Sequence, residues 1–123
     1  MRYTIVIPQL GVVRAGLCDR LRLDDLAVLD SLCGLFFARK AAKVLCEGDE
    51  YVWAHYPHII KELPLVFNSS ATPATLKNQL VRIVARLRDT GLLQTTRHGG
   101  RLYYRLTERA AGLSVWNSTA KTK

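Results

Sequence analysis

The segment from residue 72 to residue 107, "TPATLKNQLVRIVARLRDTGLLQTTRHGGRLYYRLT", contains one long helical pattern followed by one hairpin pattern. Thr72 and Pro73 are typical of a helix start, because a threonine hydroxyl caps the first turn and proline is favoured at the first helical position. An apolar stripe follows at spacings of three and four residues, consisting of Leu76, Leu80, Ile83, Val84 and Leu87. Gly91 then provides the usual C-terminal stop. The pattern predicts a helix over residues 73–90.

The end of the same segment alternates in the manner of a β-hairpin. Residues 92–96 and 102–106 are two strand-like runs, and Gly99 and Gly100 lie between them. Glycine suits this place because the commonest two-residue hairpin turns require a positive φ. Tyr103 falls on the face opposite to the apolar positions beside it, so it is expected at the surface. The pattern predicts two antiparallel strands joined by a basic tip.

The rest of the chain predicts shorter elements. From residue 24 apolar side chains recur at spacings of three and four, and two aspartates begin the run, where the helix dipole favours negative charge. The predicted elements are a strand at 3–7, a helix at 24–43, a strand at 51–53, a helix from Pro57 to Leu63, and a helix at 108–111 that Thr107 caps and Gly112 ends. The strand at 51–53 is too short to stand alone, so it requires partners elsewhere in a sheet.

The order of these elements resembles the winged helix-turn-helix superfamily of DNA-binding domains. The resemblance covers residues 24–111 and rests on the short strand and on the segments "YPHIIKELP", "TPATLKNQLVRIVARLRDTG" and "LLQTTRHGGRLYYRLT". It implies an α+β fold that is mainly α, with a three-helix core and a small antiparallel sheet whose hairpin is the wing. The implied divisions are an N-terminal extension of strand and loop at 1–22, a winged-helix domain at 23–113 and a polar tail at 114–123.

The basic charge of the chain is concentrated in its C-terminal part. The net charge is +8. Residues 1–72 contain 8 basic and 8 acidic side chains, whereas residues 73–123 contain 10 basic and 2 acidic ones. This asymmetry indicates a polyanionic partner rather than a charge that serves solubility alone. Nucleic acid is the leading candidate.

Length and composition predict one soluble domain. A chain of 123 residues can form a core without metal or disulfide support, and no apolar run approaches the roughly 20 residues needed to cross a bilayer. The first residues lack the apolar core and cleavage site of a secretory signal, so we expect a cytoplasmic protein that associates with the nucleoid when bound to DNA. Cys18, Cys33 and Cys46 are expected to be reduced thiols in the core, because their number is odd and no Cys-x-x-Cys spacing occurs.

By the resemblance, the N-terminal half of the helix at 73–90 enters the major groove, where arginine and asparagine bind base edges through paired hydrogen bonds. The candidate recognition residues are Thr75, Lys77, Asn78 and Arg82. Asn78 and Arg82 lie one turn apart and away from the apolar stripe. For each of the four, base contact, phosphate contact and plain solvent exposure stay open. Arg86 and Arg88 lie further along, where phosphates or the first long helix are the expected neighbours.

The hairpin tip and the turn before the helix supply further candidates. The wing candidates are Arg97, His98 and Arg101. They flank two glycines, so the resemblance brings them to the minor groove or its phosphates, and a solvated hairpin turn is the alternative. The predicted phosphate contacts are Ser69, Ser70, Thr72 and Arg86. Hydroxyl groups before a helix often meet a phosphate, but for Thr72 simple helix capping is an equal alternative.

Catalytic and cofactor sites are not predicted. The glycines of the hairpin fit no nucleotide-binding motif, because a strand rather than a helix follows them. The spacing of Cys46, His55 and His58 fits no common zinc site, and no local arrangement marks a nucleophile with its base. We therefore expect a protein that is not an enzyme and has no metal, cofactor or small-molecule ligand. Trp53 is interpreted as a core residue, whereas Tyr103, on the basic side of the hairpin, leaves single-strand binding open.

Together these patterns predict a sequence-specific double-stranded DNA-binding protein, a transcriptional regulator that uses helix 73–90 and wing 97–101. Two alternatives use the same fold. One is a phage or plasmid replication-initiation module, which the segment "YVWAHY" resembles. The other is a protein-interaction module whose basic face meets an acidic protein. A homodimer is a further expectation, because palindromic DNA sites bind pairs of such modules.

Overall fold

The computed structural model describes residues 4–38, 42–68 and 70–113 as an α+β structure. Its helices are α1 (Gln9–Arg14), α2 (Leu23–Phe36), α3 (Tyr56–Glu62), α4 (Pro73–Asp89) and α5 (108–113). Its strands are β1 (Lys43–Cys46), β2 (Asp49–Trp53), β3 (Leu93–His98) and β4 (Arg101–Leu106). The strands form one antiparallel sheet in the order β1-β2-β4-β3. The expected α+β class is confirmed, and the predicted tail at 114–123 lies outside the described residues.

The long helix predicted at 73–90 is confirmed as α4. The hydroxyl oxygen of Thr72 accepts the backbone N–H of Thr75 at 3.2 Å, so the expected cap is present. The helix ends before Gly91, which has a φ of 79°. The buried side of α4 consists of Leu80, Ile83, Val84 and Leu87. These residues pack in the central core, so the apolar stripe orients the helix.

The predicted hairpin is confirmed as β3 and β4. Its register pairs His98 with Arg101, and both intervening residues, Gly99 and Gly100, have the positive φ that the turn requires. Strand β4 also pairs with β2, so the predicted short strand has the sheet partner that it needs. The hairpin therefore extends from a sheet that is anchored to the body of the protein.

The helix predicted at 24–43 is confirmed only as far as Phe36. Strand β1 begins at Lys43, the last residue of the predicted helix, and it pairs with β2 across a turn at Glu47 and Gly48. Both turn residues have a positive φ. A strand of four residues has too little periodicity to be recognised by itself, and pairing with β2 decides its structure.

The N-terminal segment contributes to the main core. Its expected strand is absent from residues 4–7, and the helix α1 follows instead. The residues of this segment buried in the central cluster are Val12, Leu17 and Leu21. A strand requires hydrogen-bond partners along its length, but here the backbone N–H of Val6 donates to the carboxylate of Asp30 in α2. The boundary expected after residue 22 is thus not a boundary of the core.

Helix α5 closes the same core from the other end of the chain. Thr107 caps it as predicted, because its hydroxyl oxygen accepts the backbone N–H of Ala110 at 3.2 Å. Gly112 does not end the helix, since α5 continues to Leu113, which is buried. Helix α1 packs directly against this point. A Cβ atom on Gly11 would be in hard contact with the backbone carbonyl of Leu113, so only glycine allows this close approach.

Replacing Gly11 by alanine should lower the free energy of unfolding by about 1–3 kcal/mol, because the added methyl group displaces the backbone of Leu113. Gly112→Ala is the matched control. A Cβ atom at Gly112 meets nothing within 4 Å, so alanine there should be neutral or stabilise by up to about 1 kcal/mol. Urea denaturation followed by circular dichroism measures both variants. Equal losses in the two variants would contradict the packing of α1 on α5.

A buried ion pair joins the start of α2 to the second half of α4. The carboxylate of Asp25 is fully buried, and the guanidinium group of Arg86 donates to both of its oxygens at distances between 2.8 and 3.1 Å. The same carboxylate accepts the backbone N–H of Arg22 at 3.0 Å, at the N-terminus of α2. The hydrogen bonds with Asp25 raise the pKa of Arg86. One carboxylate therefore caps one helix and holds another.

The variant Asp25→Asn should lower the free energy of unfolding by about 2–4 kcal/mol, because it keeps the side-chain shape but leaves the Arg86 cation without its counter-charge. Asp24→Asn is the control, since Asp24 lies in the same helical turn but is exposed. Asp24→Asn should lower the free energy of unfolding by less than about 1 kcal/mol, the usual size of a helix-dipole interaction. The measurement is chemical denaturation at neutral pH. Indistinguishable midpoints for the two variants would show that the ion pair does not stabilise the fold.

Candidate nucleic-acid interface

The predicted recognition residues of α4 are all exposed. Asn78 and Arg82 lie one turn apart on the side opposite to the buried stripe. Lys77 lies on the flank that faces the β3–β4 hairpin, where it lines a cleft. Thr75 is less available, because its hydroxyl group is 2.9 Å from that of the capping residue Thr72. The structure thus brings Asn78 and Arg82 together and turns Lys77 towards the hairpin.

The turn before α4 is held by its own hydrogen bonds. The backbone N–H and the hydroxyl group of Ser70 both donate to the side-chain oxygen of Asn68, at 3.0 and 2.8 Å. The hydroxyl oxygen of Thr72 caps α4, as the sequence allowed, and its phosphate contact stays a prediction. Ser69 lies outside the described residues. These contacts orient the chain at the entrance to α4.

Arg86 lies against α2, the second of its two expected neighbours. Its guanidinium group donates to the buried carboxylate of Asp25, so its charge is balanced inside the protein. The Arg86 side chain is 36% exposed beside this pair, so the phosphate contact stays a prediction. In the structure Arg86 positions α4 against α2.

The hairpin tip carries its three predicted residues in exposed positions. The guanidinium carbon of Arg101 lies 4.1 Å from the ring centroid of Trp53, a cation–π contact that fixes the tip against β2. The ring of His98 lies edge-on to Tyr103, with 6.2 Å between the centroids. Tyr103 is buried, with 6% exposure, because it pairs across the sheet with Trp53. The expectation that Tyr103 is a surface residue is wrong.

A cleft of about 710 Å³ separates α4 from the hairpin tip and the start of α3. Its charged lining consists of Lys77, Arg88, Arg97 and Arg101. Its aromatic lining consists of Trp53, His55 and Tyr56. None of the described residues that line it is acidic. The cleft is therefore a basic recess with aromatic walls.

Two arginines of this cleft act on the same group, the hydroxyl of Tyr56. Burial raises the pKa of the Tyr56 hydroxyl group, and the positive charges of Arg97 and Arg88 oppose this effect. One of these arginines comes from the hairpin and the other from the last turns of α4. The two elements therefore direct positive charge at one point, as a site for an anion requires.

From the sequence, neither Arg88 nor Trp53 was expected beside the hairpin tip. Arg88 was expected near phosphates or the first long helix, but it lines the cleft together with Lys77 and Val81. These three positions fall on one flank of a helix by their spacing, and that signal is present in the sequence. Trp53 was interpreted as core, but it is half-buried and lines the cleft. Its alternation with the buried Val52 indicates the other face of the strand.

The cysteines are less buried than the sequence suggested. Cys18 is exposed, and Cys33 and Cys46 are half-buried, so the expectation of three core thiols is wrong. Nε2 of His58 lies 3.2 Å from a carboxylate oxygen of Glu62, one turn along α3. Within residues 4–38, 42–68 and 70–113, no group of three or more His, Cys, Asp or Glu side chains is placed to hold a metal ion.

Comparison of the chain with protein-family models, curated proteins and solved structures finds no match. In the described part of the chain, every helix is too short or too polar to cross a membrane. The function is therefore inferred from the geometry and charge of the face that α4 and the hairpin form.

Proposed function

We propose that this chain is a winged helix-turn-helix protein that binds double-stranded DNA sequence-specifically and regulates transcription. The order α2, β2, α3, α4, β3, β4 supports this proposal, and so does the place of β4 between β2 and β3 in the sheet. In this assignment α4 is the recognition helix, and the β3–β4 hairpin is the wing. Strand β1 and helix α1 are additions to the common arrangement.

The observation that carries the proposal is the convergence of cations from α4 and the hairpin around one recess without an acidic lining residue. A polar helix face alone is commonly just a solvated surface. Here a second element contributes its own arginines beside that face, which a polyanion that spans both would explain. Four of the ten basic residues after residue 72 line this recess: Lys77, Arg88, Arg97 and Arg101.

The proposed contacts follow from the exposure of each side chain. Asn78 and Arg82 project from α4 opposite its buried stripe, so they are assigned to base edges in the major groove. Lys77 and the wing residues Arg97, His98 and Arg101 are assigned to phosphates and the minor groove. Ser70 and Thr72 provide the turn from which α4 enters the groove. The connection from α3 to α4 spans residues 63–72 and is longer than a tight helix-turn-helix turn.

The double variant Asn78→Ala with Arg82→Ala should reduce the preference for the best sequence over random duplex, because it removes both bidentate side chains of α4. Each lost contact should reduce discrimination at its own base pair by about 1–3 kcal/mol. Selection from a random duplex pool identifies the preferred sequence, and fluorescence anisotropy at fixed salt then compares it with random duplex. A palindromic selected site would support the expected homodimer. An unchanged preference in the variant would remove α4 as the recognition helix.

The double variant Arg97→Ala with Arg101→Ala should weaken binding to preferred and random duplexes about equally. These residues contribute charge to the backbone rather than base contacts, so the slope of log affinity against log salt should also decrease by about 2. Arg14→Ala with Arg109→Ala is the matched control, since it removes the same charge from exposed positions on α1 and α5. Parent-like affinity and slope in the wing variant would reject the wing assignment. Binding of the parent that does not change with salt would favour a protein partner instead.

A further inference from the structure

The basic cleft has an apolar wall, which a site for phosphate alone does not require. The side chain of Val81 is 44% exposed on the flank of α4 that lines it, and Leu76 and Ile60 add further apolar surface. Phosphate recognition uses cations and hydrogen-bond donors and gains nothing from an apolar wall. A flat, weakly polar ring would fit such a wall.

The aromatic side of the cleft is already arranged as a stack. The rings of Trp53 and His55 lie 4.4 Å apart with an interplanar angle of 34°. The guanidinium group of Arg101 lies over Trp53, and His55 is exposed at the cleft edge. Nucleobases stack on aromatic rings and on arginine guanidinium planes, and this interaction tolerates any base because each has a π-face. The stack therefore offers a place for one more ring.

The cationic side of the cleft lies beyond these rings. Arg88 and Lys77 come from α4, and Arg97 comes from the hairpin. Nε of Arg88 lies 4.0 Å from a carboxylate oxygen of Asp89, an exposed pair with little energetic weight. The volume of about 710 Å³ lies within the range of roughly 300–1,000 Å³ that small-ligand sites occupy. Such a space accommodates a base with its sugar and phosphate.

We propose that this cleft binds one unpaired nucleotide, with its base against the exposed ring of His55 in the stack with Trp53 and its phosphate against Arg88 and Arg97. The inference rests on DNA as the proposed partner, but not on the way in which α4 contacts a duplex. An unpaired nucleotide in a DNA strand and a free nucleotide share this chemistry, and the test below separates them. A duplex alone does not supply this ligand, because its bases are stacked on one another and not on the protein.

The test uses the full chain with Trp116→Phe, which leaves Trp53 as the sole tryptophan. Its fluorescence is titrated with the single strand dT8 and with an abasic strand that has the same seven phosphates. Stacking predicts that dT8 quenches Trp53 and binds about tenfold more tightly than the abasic strand. Equal affinity for the two strands without quenching by dT8 would overturn the proposal, because phosphates alone would then explain the binding.

Two pairs of variants localise the effect. His55→Ala should abolish the preference for dT8 over the abasic strand, whereas His58→Ala, in the next helix but outside the cleft lining, should retain it. Arg88→Gln should weaken the binding of both strands several-fold, and Arg109→Gln on α5 should not. Retention of the dT8 preference in His55→Ala would overturn the assignment of the base to this stack. Far-ultraviolet circular dichroism confirms that each variant is folded.

Two further titrations separate the sources of the nucleotide and the two proposals. Displacement of dT8 by thymidine monophosphate at similar concentrations assigns the cleft to a free nucleotide, and displacement only at far higher concentrations assigns it to a strand.

The selected duplex is titrated in parallel. Sequence-specific duplex binding without a dT8 preference rejects the nucleotide site and keeps the proposed function. A dT8 preference without sequence-specific duplex binding rejects the proposed function and keeps a nucleic-acid partner.

Discussion

The contact between Asp25 and Arg86 sets the orientation on which the functional face depends. A fully buried carboxylate accepts the N-terminal N–H of α2 and three close contacts from one guanidinium group of α4. Such a pair contributes little net energy compared with a well-packed apolar alternative, but its geometry is demanding, since any rotation of α4 would leave a charge buried without a partner. The apolar stripe limits how α4 can lie, and the ion pair adds a directional constraint to it.

That constraint distributes the side chains of α4 among three environments. With Arg86 directed at α2 and the apolar stripe in the core, Asn78 and Arg82 face outward, and Lys77 and Arg88 lie on the flank towards the hairpin. The hairpin is fixed in turn by its pairing with β2 and by Arg101 on the ring of Trp53. The arginines of this region thus have three physical roles. Arg86 is the counter-charge of Asp25, Arg101 stacks on Trp53, and Arg82 and Arg88 are exposed cations.

The elements that the sequence predicted well are those with local causes. Thr72 caps α4, Gly91 follows its end with a positive φ, and the two glycines of the hairpin satisfy a turn that demands them. Strand β1 was missed because it forms by pairing with β2. Helix α1 was missed because it packs against α5, and the residues before it are held by Asp30. Tyr103 and Trp53 were misplaced for the same reason, since they face each other across a sheet whose register requires both strands.

The sequence by itself determined the long amphipathic helix, the basic hairpin and the concentration of positive charge after residue 72. Each of these follows from capping, periodicity or composition, and none needs a distant neighbour. Only the tertiary structure decided which cations are free to meet a ligand. That choice depends on the packing of α4 between α2 and the sheet, because Arg86 and Arg88 are two residues apart and therefore point about 160° apart around the helix. The spacing of Lys77, Val81 and Arg88 indicates a shared flank of the helix, but only this packing brings that flank beside Trp53 and His55.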